Sequence, residues 1–392
     1  IKLEKSKFIP YGRQEVTQED IDAVIQTLKS DFLTQGPAVP LFEQKLCSYT
    51  GARYSVAVNS CTSALHIACL ALGLGPGDIL WTSPITFVAS ANCALYCGAT
   101  VDFVDIEKDT ALMSVEKLSA KLEEAEKKGK LPKIIIPVHF AGQPSDMEEI
   151  HVLSKQYGFR IIEDAAHAIG AKYKNKPVGN CQYSDITVFS FHPVKIITTG
   201  EGGAAMTNSP QLAEKMKLLR GHGITRDSSK MYRNIDISWY YEQISLGFNY
   251  RMTDIQAALG CSQLNRLEHY VSRRLEISNW YNEHLKNILV EPLICKDDRN
   301  SSHHLYVVKV IGGEHKRNYL YNELRKSGIG VNLHYIPIYM HPYYKGEYST
   351  FAGSEEYYSR AISLPIFPTL DFNNLKMIVN NIMKVEYKIK QG

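Results

Sequence analysis

SVAVNSCTSALHIACLALGLGPGDILWT, residues 55–82, reads as strand, helix, turn and strand. Residues 55–58 form a short β-rich run, 62–72 carry a helical pattern, and 79–82 form a second apolar run. Between them, Gly73-Leu-Gly-Pro-Gly77 follows a helix and precedes a strand, the reverse of a dinucleotide fingerprint. It is therefore a helix-ending turn, and a nicotinamide dehydrogenase loses its main support.

The same alternation spreads outward from this unit. Downstream come a helix at 86–96, a strand at 101–104, a helix at 114–127, a strand at 134–138, a helix at 147–157 and a strand at 159–162. Upstream, 17–30 places Ile21, Val24, Ile25 and Leu28 at i, i+3, i+4 and i+7 behind a Thr17/Asp20 capping pattern, which predicts an amphipathic helix. Repeated β/α alternation predicts an α/β fold with a mainly parallel sheet and helices on both faces. Past Asp164 the spacing tightens. Strands at 186–191 and 203–207 leave only 192–202 between them, too short for a crossover helix. The sheet must take an irregular or antiparallel step there, at a strand end, where open α/β sheets bind ligands. Beyond about Leu264, a long Arg-rich helical stretch, strands near 305–310 and 330–335 and a helix at 316–326 predict a smaller C-terminal α+β domain. The expected division is 14–263 and 264–392, with 1–13 as an arm at the active site.

Bulk properties describe an ordinary globular enzyme: 392 residues, 44% hydrophobic and 22% charged. A formal charge of +3 supplies no field for nucleic acid, so any anion site must be local. The eight cysteines lack C-x-x-C or zinc spacing and read as reduced, buried thiols; no metal site is expected. No apolar stretch reaches membrane length and the N-terminus has no signal-peptide core, so a cytoplasmic location is expected.

The chemistry concentrates in SFHPVKIITTGEGG, 190–203. Lys195, taken to lie at the end of a buried strand beside Val194, Ile196 and Ile197, is partly desolvated, which favours the neutral, nucleophilic amine. The alternative is a solvated surface lysine. Asp164 ends a strand, where it can pair with a pyridinium nitrogen or simply cap a helix. Glu163 points to the other face, so the two are not a glycosidase pair. His167 is a core histidine or a support for a cofactor's ring oxygen. NSCTSAL, 59–65, brings a strand into a helix whose free N–H groups suit a phosphate, with Cys61 and Thr62 as donors and Ser190 adding a hydroxyl. Phe87, at the start of the next helix, stacks on a flat ring or packs in the core.

In this order, NSCTSAL, SPITFVA (83–89), EDAAHA (163–168), SFHPVKIITTGEGG and GFNYRMTDIQAALG (247–260) resemble the DegT/StrS family of sugar aminotransferases over nearly the whole chain. The lysine-to-GEGG segment is close to diagnostic. LTQG at 33–36 and FAGQ at 140–143 most resemble the branch that aminates a UDP-linked 4-keto-6-deoxy-N-acetyl-altrosamine sugar in pseudaminic acid synthesis.

That resemblance implies the aspartate-aminotransferase-like fold type I, a three-layer arrangement, with pyridoxal 5'-phosphate as cofactor. It implies Lys195 as the Schiff-base lysine and proton carrier, Asp164 as the ring-nitrogen partner, Phe87 as the stacked ring and His167 at the ring oxygen. Cys61, Thr62 and Ser190 fall on the phosphate cup. Asn249 matches a residue reaching that phosphate from the other subunit, which implies a homodimer with shared active sites. Tyr11, Thr34, Gln35, Asn332, His334 and Tyr335 align with sugar-nucleotide contacts, and His192, Arg251 and Tyr339 fall near the diphosphate or sugar. Glutamate is the implied amino donor and a UDP- or dTDP-4-keto sugar the acceptor. Two rivals weaken on the residues present. The related sugar 3-dehydratases carry histidine where Lys195 stands, and a non-catalytic sensor would tolerate an incomplete site.

Overall fold

The structure, a computed structural model, describes residues 8–233, 235, 237–344, 346, 348 and 350–391. Residues 1–7 of the expected arm lie outside that set. Seven strands form the central sheet: β1 (Tyr54–Val58), β2 (Ile79–Thr82), β3 (Thr100–Phe103), β4 (Ile134–Ile136), β5 (Arg160–Asp164), β6 (Ile186–Ser190) and β7 (Gly203–Thr207). Their order is β1-β7-β6-β5-β4-β2-β3. Neighbours from β3 through β6 run parallel, whereas β7 lies antiparallel to both β6 and β1. The short 190–203 connection therefore makes the antiparallel step that its length requires. β4 is three isoleucines with no exposure, as a strand covered on both faces should be.

Around the sheet lie α1 (Gln18–Leu28), α2 (Ala38–Thr50), α3 (Cys61–Ala71), α4 (Ala89–Tyr96), α5 (Val115–Lys127), α6 (Met147–Tyr157), α7 (Pro210–Arg220) and α8 (Asp254–Leu264). α9 (Leu267–His284) leads to a three-stranded antiparallel sheet, β8 (Val290–Pro292), β9 (Tyr306–Val310) and β10 (Ala361–Leu364), packed with α10 (Gly313–Lys326), α11 (Ala352–Arg360) and α12 (Phe372–Gln391). No described helix is long and apolar enough to cross a membrane.

Four expectations need correcting. α4 begins at Ala89 rather than 86, because Ser90 N–H bonds the Phe87 carbonyl and Ile338 N–H bonds that of Pro84, holding 84–88 as a turn. Residues 330–335 form no strand. Gly330 is drawn onto Ile9, and only Asn332 bridges to Ser363, so the segment is a strap across β10. Lys195 lies five residues past the end of β6, in a turn closed by its own N–H on the His192 carbonyl at 2.9 Å. Of the eight cysteines, all free thiols, Cys295 is exposed and Cys47 and Cys61 half-buried.

α1 forms as predicted, but its apolar stripe is not in the core of this chain. Ile21, Ile25 and Leu28 are 43%, 38% and 54% exposed, with Phe32 and Leu33 beside them. The helix is anchored through its buried acid instead: Asp20 accepts from Arg266 Nη2 at 2.5 Å and Gln263 Nε2 at 2.7 Å on the turn after α8 and its last residues.

Candidate active site

The carboxyl ends of β1, β5 and β6 and the start of β7 converge at one point. Gly203 sits in register between Val58 and Ser190, so β7 passes directly beneath the entry to α3. A Cβ on Gly203 would lie 2.6 Å from Cys61 N, and only a glycine lets the strand come so near the helix start. Ser60 caps α3, its hydroxyl accepting from Ser63 N–H at 3.1 Å. The N–H groups of Cys61 and Thr62, at the first turn, have no acceptor within the helix, and both residues line the cavity.

That cavity, about 960 Å³, is lined by Cys61, Thr62, Phe87, Asp164, His167, Ser190 and Lys195, joined by Tyr11, His192, Asn332, His334 and Tyr335. Residues as distant in the chain as Tyr11 and Tyr335 are thus gathered by strand ends and the 330–335 strap. Phe87 is 57% exposed, so its ring is not core packing. Turns, not a helix, follow Asp164, so it caps nothing. Its carboxylate, 4% exposed, accepts from Ser90 Oγ at 2.6 Å and Ala166 N–H at 3.0 Å. No basic side chain among the described residues forms an ion pair with it. Its neighbour Glu163 turns to the opposite side, onto His139 Nε2 at 2.7 Å, Thr187 and Ser184. Burial pushes the Glu163 carboxyl up, but these donors more than offset it and hold it below the usual range.

Burial brings the Lys195 ammonium down from 10.5 to about 8, against the opposing pull of charge on Cys61 and Asp164. Burial and the nearby Lys195 charge together keep His167 well below its ordinary value, and bring His334 to about 3. Both imidazoles are neutral at pH 7. Tyr335 is pushed up by burial and keeps its proton; its hydroxyl pairs with His167 Nε2 at 3.2 Å. His167 Nδ1 is buried without a partner.

Five other residues singled out in the sequence lie elsewhere. Gln35 and Arg251 line a second cavity of about 540 Å³ with Lys217, Arg220, His222 and Arg226. Thr34 bridges to Thr253, and the Asn249 carbonyl accepts from Asn59 Nδ2 at 3.4 Å. Tyr339 packs against Phe103, Tyr348 and Phe351, its hydroxyl on Glu355, outside the Lys195 cavity. Sequence reading missed Ser90, which holds Asp164, and His304, which lines the cavity with its ring 4.4 Å from that of His167. Neither carries a local signal; each acquires its neighbour only through packing.

The donor set suits pyridoxal 5'-phosphate. A buried carboxylate with two donors has room to accept a protonated ring nitrogen. Free N–H groups at a helix start, with Ser190 opposite, suit a phosphate, and a lowered lysine suits an aldehyde.

Residues 14–383 match the DegT/DnrJ/EryC1/StrS aminotransferase family, and the chain belongs to it. The chain is accordingly an aminotransferase that uses pyridoxal 5'-phosphate. It is similar to the UDP-4-amino-4,6-dideoxy-N-acetyl-beta-L-altrosamine transaminase of Campylobacter jejuni, 38% identical over 390 residues, covering 98% of this chain and 99% of that one. Among solved structures it resembles Helicobacter pylori PseC, an aminotransferase of pseudoaminic acid biosynthesis, with a TM-score of 0.89 and 32% identity over 97% of this chain and 100% of the other. It also resembles Spr1654 of Streptococcus pneumoniae in its PLP form, with a TM-score of 0.87 and 31% identity over 97% and 99%.

Proposed function

We propose that this aminotransferase moves the amino group of glutamate to C4 of a UDP-linked 4-keto-6-deoxy-N-acetyl-altrosamine sugar, in the cytoplasm, as a homodimer with shared active sites. The observation that carries the reaction class is the half-buried Lys195, lowered to about 8, in one cavity with Asp164 and the start of α3. The acceptor sugar is supported by similarity to the Campylobacter and Helicobacter enzymes across both full lengths.

Pyridoxal phosphate supplies the aldehyde that carries nitrogen and the ring that takes up the electron pair freed at carbon. Lys195 Nζ, in its neutral form, takes the proton from the α-carbon of glutamate and later returns one to C4 of the sugar. Asp164 Oδ2 and Oδ1, fixed by Ser90 and Ala166, would hold the protonated ring nitrogen. Cys61 N–H, Thr62 N–H and the Ser190 hydroxyl bind the phosphate. Phe87 would cover a ring face, and neutral His167, its Nε2 on the Tyr335 hydroxyl, would support the ring oxygen. Tyr11, Asn332, His334, Tyr335 and His192 serve the sugar. The division at about residue 264 separates a cofactor-binding part from a smaller part that adds the strap.

Two features support the dimer. The exposed stripe of Ile21, Ile25 and Leu28 continues into Phe32 and Leu33, a run of apolar side chains that a second copy would cover. Among the described residues no arginine lines the Lys195 cavity, while Arg251, Arg220 and Arg226 cluster in the second cavity with Gln35. A diphosphate bound beside Lys195 would draw its cations from the partner, whose Asn249 would reach the cofactor phosphate.

Absorbance tests this reading. Protein loaded with pyridoxal phosphate should show a visible band that glutamate bleaches and that returns on adding the UDP-4-keto sugar; Lys195→Ala should show no such cycle. Return of the band with a dTDP-4-keto sugar alone would reassign the acceptor, and absence of any band in wild type would leave a non-catalytic sensor.

A further inference from the structure

α9 carries Arg274, which is 1% exposed. Burial brings it down to about 10 with no charged neighbour contributing, so it remains a cation at neutral pH without a carboxylate. Burying a charge is costly unless polar groups replace water. Three backbone carbonyls do so: Arg274 Nη1 donates to His303 O at 3.3 Å, His304 O at 3.2 Å and Ile366 O at 3.0 Å.

Those carbonyls belong to two separate loops, one lining the cavity through His304 and the other touching it through Tyr11. The 301–305 loop enters β9 and sets the His304 ring 4.4 Å from that of His167. It is held on its other side by the FAGQ turn, Ser302 N–H donating to Gly142 O at 3.1 Å and Leu305 N–H to Ala141 O at 3.3 Å, and by His167, whose carbonyl accepts from Ser302 Oγ at 2.8 Å. A Cβ on Gly142 would come within 2.5 Å of Ser302 Oγ, so the turn and the loop are in close contact. The 365–370 loop follows β10. Its Ile366 N–H donates to Tyr11 O at 3.0 Å, and the Tyr11 ring lies 5.2 Å from that of His334.

We propose that Arg274 is a positioning residue of the transamination site: one buried guanidinium draws both loops together, setting His304 against His167 and Tyr11 against His334. This rests on the function proposed above. An apolar side chain would fill the same space but leave three carbonyls unpaired, and lysine would have to place its ammonium where Nη1 alone now meets all three.

Two measurements decide it. On protein without cofactor, Arg274→Lys should speed hydrogen exchange at the Leu305 and Ile366 amides together, by about tenfold or more, with β5 amides unchanged. Unchanged exchange at either amide overturns the proposal whether or not the enzyme transaminates. With cofactor loaded, Arg274→Lys and Arg274→Met should keep the KM for glutamate within about threefold while kcat falls about 10- to 100-fold, with an altered circular dichroism of the bound ring. Combining Arg274→Lys with His304→Asn should cost no more than the worse single change. Additive losses, or a rate loss matching the loss of folded protein, would show a merely structural arginine. If neither Arg274 variant folds, His304→Asn decides alone: unaltered kcat and ring dichroism sink the idea.

Discussion

Ser90 on α4 donates its hydroxyl to Asp164 Oδ2 at 2.6 Å, and Thr86 meets Ser90 at 2.8 Å. An ionised carboxylate only accepts, so the Ser90 proton points to Asp164 and Thr86 must donate to Ser90. Two hydroxyls thus fix the carboxylate that, under the proposed function, would face the cofactor ring. Ser90→Ala should slow the single-turnover reaction with glutamate about tenfold, the worth of one charge-assisted hydrogen bond of roughly 1.5 kcal/mol. Asp164→Asn should slow it by on the order of 10²-fold or more. Asp164→Asn no slower than Ser90→Ala would remove the carboxylate from the mechanism.

The lowered Lys195 sets a pH profile. At pH 7 an amine of pKa about 8 is about one-tenth neutral, against roughly one part in 3,000 for an ordinary lysine at 10.5. Capture of pyridoxal phosphate by the cofactor-free protein should rise about tenfold per pH unit up to pH 8 and level above it. Stopped-flow absorbance checks this. A rate still climbing at pH 10 would mean a solvated lysine. Because burial keeps His167 and His334 neutral, no further loss from their protonation should appear between pH 6 and 8.

Gly203→Ala puts a methyl group 2.6 Å from Cys61 N and the Ser60 carbonyl carbon. Backbone cannot yield as a side-chain tip would, so β7 and α3 must part. The substitution should cost about 1–3 kcal/mol of stability and weaken cofactor binding about tenfold or more as the phosphate N–H groups move. Denaturant melts and titration with pyridoxal phosphate measure the two. Unchanged affinity would place the phosphate elsewhere.

Shared active sites predict complementation. Lys195→Ala and Arg251→Ala should each be inactive, yet an equimolar mixture allowed to exchange subunits should recover about a quarter of wild-type activity, one intact site in each mixed dimer. Ile25→Asp, on the exposed stripe of α1, should yield monomers by sedimentation and abolish that recovery. A mixture that stays inactive while mixed dimers form would confine each site to one chain.

Much of the architecture was readable from period and punctuation. α6 spans Met147–Tyr157 as its pattern predicts, and the 192–202 connection, too short for a crossover helix, makes the antiparallel one of the two steps it left open. Such features are local, because chain length and side-chain alternation act over a few residues. The motifs at 59–65, 163–168 and 190–203 named the chemistry for the same reason: each is a contiguous piece of one strand end. Reading failed where a position depends on a distant partner. The 330–335 run has strand-like residues but is claimed by Ile9 and Ser363, and the apolar stripe of α1 stays exposed among the described residues.

The sequence by itself therefore determined the sheet and its antiparallel step, and with its motifs the family and the chemistry expected of the chain. Only the tertiary structure decided that Asp164 leans on Ser90, that His304 backs His167, that Arg274 holds two loops on one guanidinium, and that Gln35 and Arg251 lie apart from Lys195. Those relations join residues dozens to hundreds of positions apart, and their energy comes from burial and hydrogen bonds that exist only once the strand ends have met.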